Sequence, residues 1–254
     1  KVSGKSGGRF DSVKKWIMNG WSTENLLSHN SNLDGDALQA AIHWSFPQAY
    51  YSMYAHIQAL IIGLGYSDRK HTTVRKRFGR WVEMDKYPKE MSFYADGGKH
   101  NIKTQKISDR KSDKRSIWFE ENNDDSYDHQ ISQFLSKTRE IYLEDRREDM
   151  KNEFTTQNGN LRKRLKKEHW ERVSDSIGPT TLIDLIYSKR TKSNYRDANT
   201  YHSSDLKPRV IIEGLKHIVE CSNFVHECLL MSVFGKNKIL DASRKASKLI
   251  GADM

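Results

Sequence analysis

The stretch FPQAYYSMYAHIQALIIGLGYSDRKHTTVRKRFGRW, residues 46–81, decides the fold. In its first part Tyr50, Met53, Tyr54, Ile57, Leu60 and Ile61 recur at steps of three and four, the period of a helix with one buried face. Ala49, Ala55 and Ala59 interleave and let a neighbouring helix approach closely. Pro47 fits the first turn of this helix, where its missing N–H costs nothing, or the interior of a longer helix starting near Asp36. Gly63 and Gly65 are expected to end it, because glycine readily takes the left-handed cap conformation. A charged turn, Asp68 to His71, leads into a shorter helix bearing Val74, Phe78 and Trp81, with His71 capping that turn.

Upstream, Phe10 to Ser28 reads as a first helix with Val13, Trp16, Ile17, Trp21 and Leu26–Leu27 on its apolar face. The polar run HNSNLDG (29–35) is a turn, and Asp36 is placed to cap the next helix. GKSGG (4–8) has neither a preceding strand nor the upstream glycine of a phosphate-binding loop, and it reads as a flexible end. Downstream, Tyr87 to Asp128 loses any period, with Pro88, Gly97–Gly98 and the acidic run Glu120 to Asp125. Ile117–Trp118–Phe119 reads as local packing or a short strand. Ile131 to Phe154 is helical, TTQNGN (155–160) breaks it, and LRKRLKKEHWERV (161–173) is expected to be a charged helix. Gly178–Pro179 punctuates the chain. Thr180 or Thr181 then caps a helix carrying Leu182, Ile183, Leu185 and Ile186. The last long helix, 207–234, shows Ile211, Leu215, Ile218, Ser222, Val225 and Leu229 as a seam; Gly235 stops it, and 239–250 adds a short helix.

The fold class expected from these elements is all-α. An antiparallel helical bundle is built from residues 1–86 and 178–254. A basic insertion at 87–177 interrupts it, with an irregular part and a charged helical part.

The 254 residues hold 43 Lys and Arg against 33 Asp and Glu, a net charge of +10. That balance favours a polyanionic partner, of which nucleic acid is the commonest, over an acidic or neutral surface. Mean hydropathy is −0.82, and no window approaches a membrane span. Cys221 and Cys228 lie seven apart on one expected helix, about 10 Å along its axis, too far for a disulfide. Reduced thiols fit a cytoplasmic protein. No Cys/His cluster has zinc spacing, and the His217/Cys221 pair lacks further ligands, so neither metal nor other cofactor is expected.

Two sets of residues carry candidate chemistry. The first is the basic run with Arg162, Lys163, Arg164, Lys166, Lys167 and Trp170. It reads either as a solvated helix face or as a surface for phosphates with an indole for stacking. The second is the polar stretch after Ile186, with Arg190, Lys192, Tyr195, Arg196 and His202. RNA is cut without metal when its own 2′-hydroxyl attacks the adjacent phosphate. Such a reaction needs an imidazole to move a proton and a guanidinium to hold phosphoryl oxygens. This polar stretch supplies groups of both kinds, and Tyr195 and Tyr201 are placed to orient or stack. Alternatively Arg190, Arg196 and His202 cap a helix C-terminus.

Ala49, Tyr50, Tyr51, Met53 and Tyr54, then Gly65, Lys70, His71 and Phe78, resemble the A-Y-Y-x-M-F helix and G…K-x-H turn of the HEPN (higher eukaryotes and prokaryotes nucleotide-binding) domain family. Tyr54 stands where the family usually has Phe, and His71 follows Lys70 directly. Arg190, Ser193, Asn194 and Tyr195 fill the family's R-x-x-A-D-Y slot. Members that cleave RNA carry an Arg and a His four to six residues apart, a spacing that Arg196/His202 satisfies, as do Arg164/His169 and Arg162/His169. The resemblance implies RNA binding and a metal-independent endoribonuclease of a prokaryotic toxin–antitoxin or antiphage defence module. It also implies a homodimer in which two copies join their sites, with a partner protein of the same system. The competing reading is a non-catalytic helical module that binds a nucleotide, nucleic acid or a nucleotidyltransferase-type partner.

Overall fold

The computed structural model describes residues 3–106, 127–156, 158–160, 162, 164–195 and 207–250. Its helices are α1 (Ser3–Asn30), α2 (Gly35–Gly63), α3 (His71–Glu83), α4 (Tyr127–Asp149), α5 (Lys167–Ile177), α6 (Leu182–Tyr195), α7 (Pro208–Phe234) and α8 (Lys236–Ile250). Three short strands, β1 (Phe93–Asp96), β2 (Lys103–Lys106) and β3 (Thr180–Thr181), form one small antiparallel sheet in the order β2-β1-β3. The chain is thus mostly helical, with a sheet that the sequence reading lacked.

Two compact units divide the chain: Lys1–Val74 with Ile186–Met254, and Arg75–Leu185. The divisions fall inside α3 and α6, and not at the 86/87 and 177/178 positions read from sequence. One reason is local: the Phe78 ring of α3 packs at a tilt against Tyr87, centroids 4.8 Å apart, and so belongs with the residues that follow it.

In the first unit α2 packs along α1 and α7, and α8 packs on α1 and α7. Most of α2 is buried, with Tyr50, Met53, Ile57 and Ile61 fully so. Pro47 lies inside the helix, taking the second of its two expected places, and removes the hydrogen bond to the His43 carbonyl. Asp34 rather than Asp36 holds the N-cap position, and its carboxylate pairs with Arg209 at 2.7 Å instead of capping. At the other end Gly65 (φ +89°) is the residue that terminates α2. The Gly65 N–H donates to the Ile62 carbonyl and the Tyr66 N–H to the Ile61 carbonyl, a Schellman closure. Gly63 is still helical and lies close to Phe234 and Leu230 of α7.

Three details of this unit differ from expectation. GKSGG falls within α1. Leu26 is exposed, since only its neighbour Leu27 turns inward. The buried seam of α7 is Ile212, Leu215, Val219, Ser222, Asn223, His226 and Leu230; it keeps Leu215 and Ser222 of the expected series and elsewhere lies one position on. The reason is that buried Asn223 and His226 are polar and drop out of an apolar count.

Gly20 marks a close approach of α1 to α2. The Ser52 hydroxyl donates to its carbonyl (2.9 Å), and a Cβ there would lie 2.4 Å from His56 Nδ1. Alanine in mid-helix ordinarily stabilises by up to about 1 kcal/mol. Gly20→Ala is expected to do the reverse, costing about 1–3 kcal/mol through overpacking, read as a lowered midpoint in urea unfolding.

In the second unit α4 lays Leu135 against Phe93 and Ala95 of β1, while Leu143 joins Met150, Phe154, Trp170 and Val173. Arg139 of α4 is fully buried and donates to six acceptors. These are the carbonyls of Ala95, Gly97 and Gly178, the hydroxyls of Ser174 and Thr180, and the Asp96 carboxylate, at 2.7–3.1 Å. Thr181 caps α6 as expected, its N–H and hydroxyl both reaching Asp184 Oδ2 at 2.8 and 3.1 Å.

Candidate functional site

A polar and aromatic cluster of the first unit gathers on α2, the start of α3 and α6. The α2 period puts Tyr50 and Tyr54 on one side, with Tyr51 at the margin, exposed to 38%. The turn after α2 is tied back to it: the Tyr54 hydroxyl donates to the Arg69 carbonyl (3.0 Å) and the Gln58 amide to the Asp68 carbonyl (2.6 Å). Burial raises the pKa of the Tyr54 hydroxyl, so it stays a donor.

This tether delivers His71 onto the tyrosines. Its ring lies 4.3 Å from that of Tyr54, and its Nδ1 meets the Tyr50 hydroxyl at 2.8 Å. His71 is therefore a member of the cluster, oriented by Tyr50, as well as the first residue of α3. From α6, Arg190 lays its guanidinium against Tyr51, Tyr50 and Tyr187, with Cζ 4.8, 5.4 and 5.5 Å from the ring centroids. Its Nη2 donates to the Tyr51 hydroxyl at 2.6 Å, and its buried Nε–H has no acceptor among the described residues. No carboxylate among the described residues pairs with it.

A guanidinium held flat by rings and a hydroxyl, beside an imidazole, is a preorganised anion receptor. Cation–π contact fixes the Arg without cancelling its charge, as a carboxylate would.

Of the residues proposed from sequence, Arg190 is the one this cluster brings together with an imidazole. It is not a helix C-cap, since α6 runs on to Tyr195. Lys192 and Tyr195 lie on α6, while Arg196, His202 and Lys163 fall outside the described residues. The other basic candidates belong to the second unit. There α5 starts only at Lys167, because Lys166 forms its N-cap and the His169 side chain accepts the Lys166 N–H (3.0 Å). Arg162 and Arg164 thus precede the helix; Arg162 Nε donates to the Thr155 carbonyl (2.9 Å). Arg164, Lys166 and Lys167 are exposed, and Lys167 faces Glu171 at 3.9 Å.

Trp170, expected to offer a stacking face, is a core residue. It is 5% exposed and packs with Leu143, Phe154 and Val173. Tyr51 and Tyr187 were not among the sequence candidates. Tyr51 was legible as part of the AYY run, but nothing local pointed to an Arg 139 residues away.

No family profile matches the chain, and no similar curated protein or solved structure is found. Among the described residues no helix is long and apolar enough to cross a membrane.

Proposed function

We propose that the protein binds RNA at the Arg190 cluster and cleaves it without metal, as a HEPN-like endoribonuclease of a toxin or antiphage defence module. The observation that carries this reading is the Arg190 guanidinium, clamped by tyrosines, unpaired with any described carboxylate, and sharing Tyr50 and Tyr51 with His71. The +10 net charge supports a polyanion as its partner.

In the proposed reaction the 2′-oxygen bonds to phosphorus and the bond to the 5′-oxygen breaks. Arg190 holds the phosphoryl oxygens as negative charge grows on them. His71, held by Tyr50, moves the proton from the 2′-hydroxyl or to the departing 5′-oxygen. The exposed Tyr51 ring offers a face for a base. Two copies related by a two-fold axis would join two such clusters into one cleft, as the family resemblance implies. Arg196 and His202, a little further along the chain from α6, remain the competing pair for the same chemistry.

Purified protein incubated with labelled RNA in EDTA tests this. Cleavage is expected in the wild type, to be lost in His71→Gln and reduced at least about tenfold in Arg190→Lys, which keeps the charge but not the fork. Loss in Arg196→Ala and His202→Ala with His71→Gln active would move the catalytic pair to the later positions. RNA binding should weaken steeply with salt. Binding without cleavage by any form would favour the non-catalytic nucleotide- or RNA-binding module, to which the exposed Tyr51 face also suits.

A further inference from the structure

Ser52 and His56 lie about 200° and 240° around α2 from Tyr50, and on that flank the first unit holds a second concave feature. A cavity of about 550 Å³ lies against α1, α7 and α8, lined by Trp21, Glu24, Glu220, Asn223, Phe224 and Glu227. Three carboxylates thus line one cleft in a chain whose net charge is strongly positive. Glu220 and Glu227, seven residues apart on α7, share a face and are separated by about 10 Å along the axis. Glu24 reaches in from α1 and accepts a hydrogen bond from the Asn223 amide at 2.6 Å. Glu227 accepts one from the Trp21 indole at 2.6 Å and faces His56 Nε2 at 3.4 Å. Glu220 is only loosely compensated, by His217 at 3.4 Å and Lys216 at 4.0 Å.

Two further observations point to a ligand. The Asn223 side chain is fully buried and lines the cavity, and its amide oxygen has no donor among the described residues. The Glu24 carboxyl is held above its ordinary range by burial, in spite of the hydrogen bond from Asn223. Both describe a site short of hydrogen-bond donors and of positive charge. A compact metal ion does not suit it, since no three acidic or imidazole groups among the described residues converge closely enough to hold one. An elongated organic cation does. The carboxylates are spread along the cleft, and the Trp21 and exposed Phe224 rings supply apolar wall for methylenes and π-faces for ammonium groups.

We propose that this cleft binds a linear aliphatic polyamine, its ammonium groups at Glu24, Glu220 and Glu227 and its methylene spacers along Trp21 and Phe224. The site does not depend on the RNA reading above. A basic protein repels polycations in general, so saturable uptake reports the cleft and not the bulk surface.

Calorimetric titration of the full chain with spermidine at physiological salt should give one-to-one saturable binding. Glu220→Gln, at a solvent-facing position, should weaken it roughly tenfold or more, and Phe224→Ser should weaken it independently. Magnesium at equal ionic strength should not displace the polyamine. Absence of saturable binding by the wild type, or binding unchanged in both variants, would overturn the proposal. So would equal competition by magnesium, which would reduce the cleft to diffuse acidic charge.

Discussion

Arg139→Met is expected to destabilise the second unit by about 3–5 kcal/mol, the cost of leaving a buried charge network broken. The reasoning starts from the acceptors. Three backbone carbonyls, two hydroxyls and the Asp96 carboxylate converge on one guanidinium. Burial opposes the charge on Arg139, while Asp96, Asp184 and Asp175 favour it. Methionine fills much of the volume but donates nothing, so the turn at Gly97, the strand at Ala95 and the connection at Gly178 lose their common partner. A loss of this size takes most of the margin of an ordinary domain. Urea unfolding followed by circular dichroism should show a transition at much lower denaturant. Lys137→Met, on the exposed face of the same helix, should stay within about 0.5 kcal/mol of wild type. Equal midpoints for Arg139→Met and wild type would show that the network is not holding the unit together.

The second large effect is acid sensitivity centred on His226. This ring is fully buried, donates from Nδ1 to the Ser222 carbonyl (2.6 Å), and lies close to the equally buried His56. Burial, reinforced by His56, pushes its pKa down to about 3 from the ordinary 6.5. The folded state therefore refuses a proton that the unfolded chain takes up below about pH 6.5. The neutral ring's contribution is complete above pH 6.5 and is lost as the pH falls from there toward about 3. Each unit within that window costs up to about 1.4 kcal/mol, so pH 4.5 should be about 2–3 kcal/mol worse than pH 7.5. Glu24, whose carboxyl is raised by burial, works with the opposite sign, favouring the folded state as pH falls through its own transition. Glu227, beside His56, also faces this part of the core. His226→Leu removes the titration, and the slope of stability against pH should flatten between pH 6.5 and 4.5. An unchanged slope would assign the acid sensitivity to other groups.

The helical elements were legible because their signals are local. The i, i+3, i+4 series in α2, Gly65 at its end, and Thr181 ahead of α6 each act within a few residues. β1 was not legible: three of its four residues are buried, so both faces are covered and no alternation shows. The basic run after Asn160 had charge density but no cap signal, and its apparent helix began six residues late. Trp170 shows why an aromatic in a charged segment is a weak pointer, since the fold had a core place for it. The candidate site was half visible. Arg190 and the AYY run stood out separately, but their meeting spans most of the chain, and His71 looked like a cap until Tyr50 was found on its Nδ1.

The order in which the chain is made has its own consequence for α2. Its flank toward α7, with Ser52, His56 and Gly63, is buried in the finished fold, yet α7 follows about 145 residues later, roughly 7–30 s of ribosomal synthesis at usual rates. During that interval the α1–α2 hairpin waits with this flank uncovered while the whole second unit emerges. Nascent chains of this protein should accordingly draw on holding chaperones until the ribosome has passed Phe234.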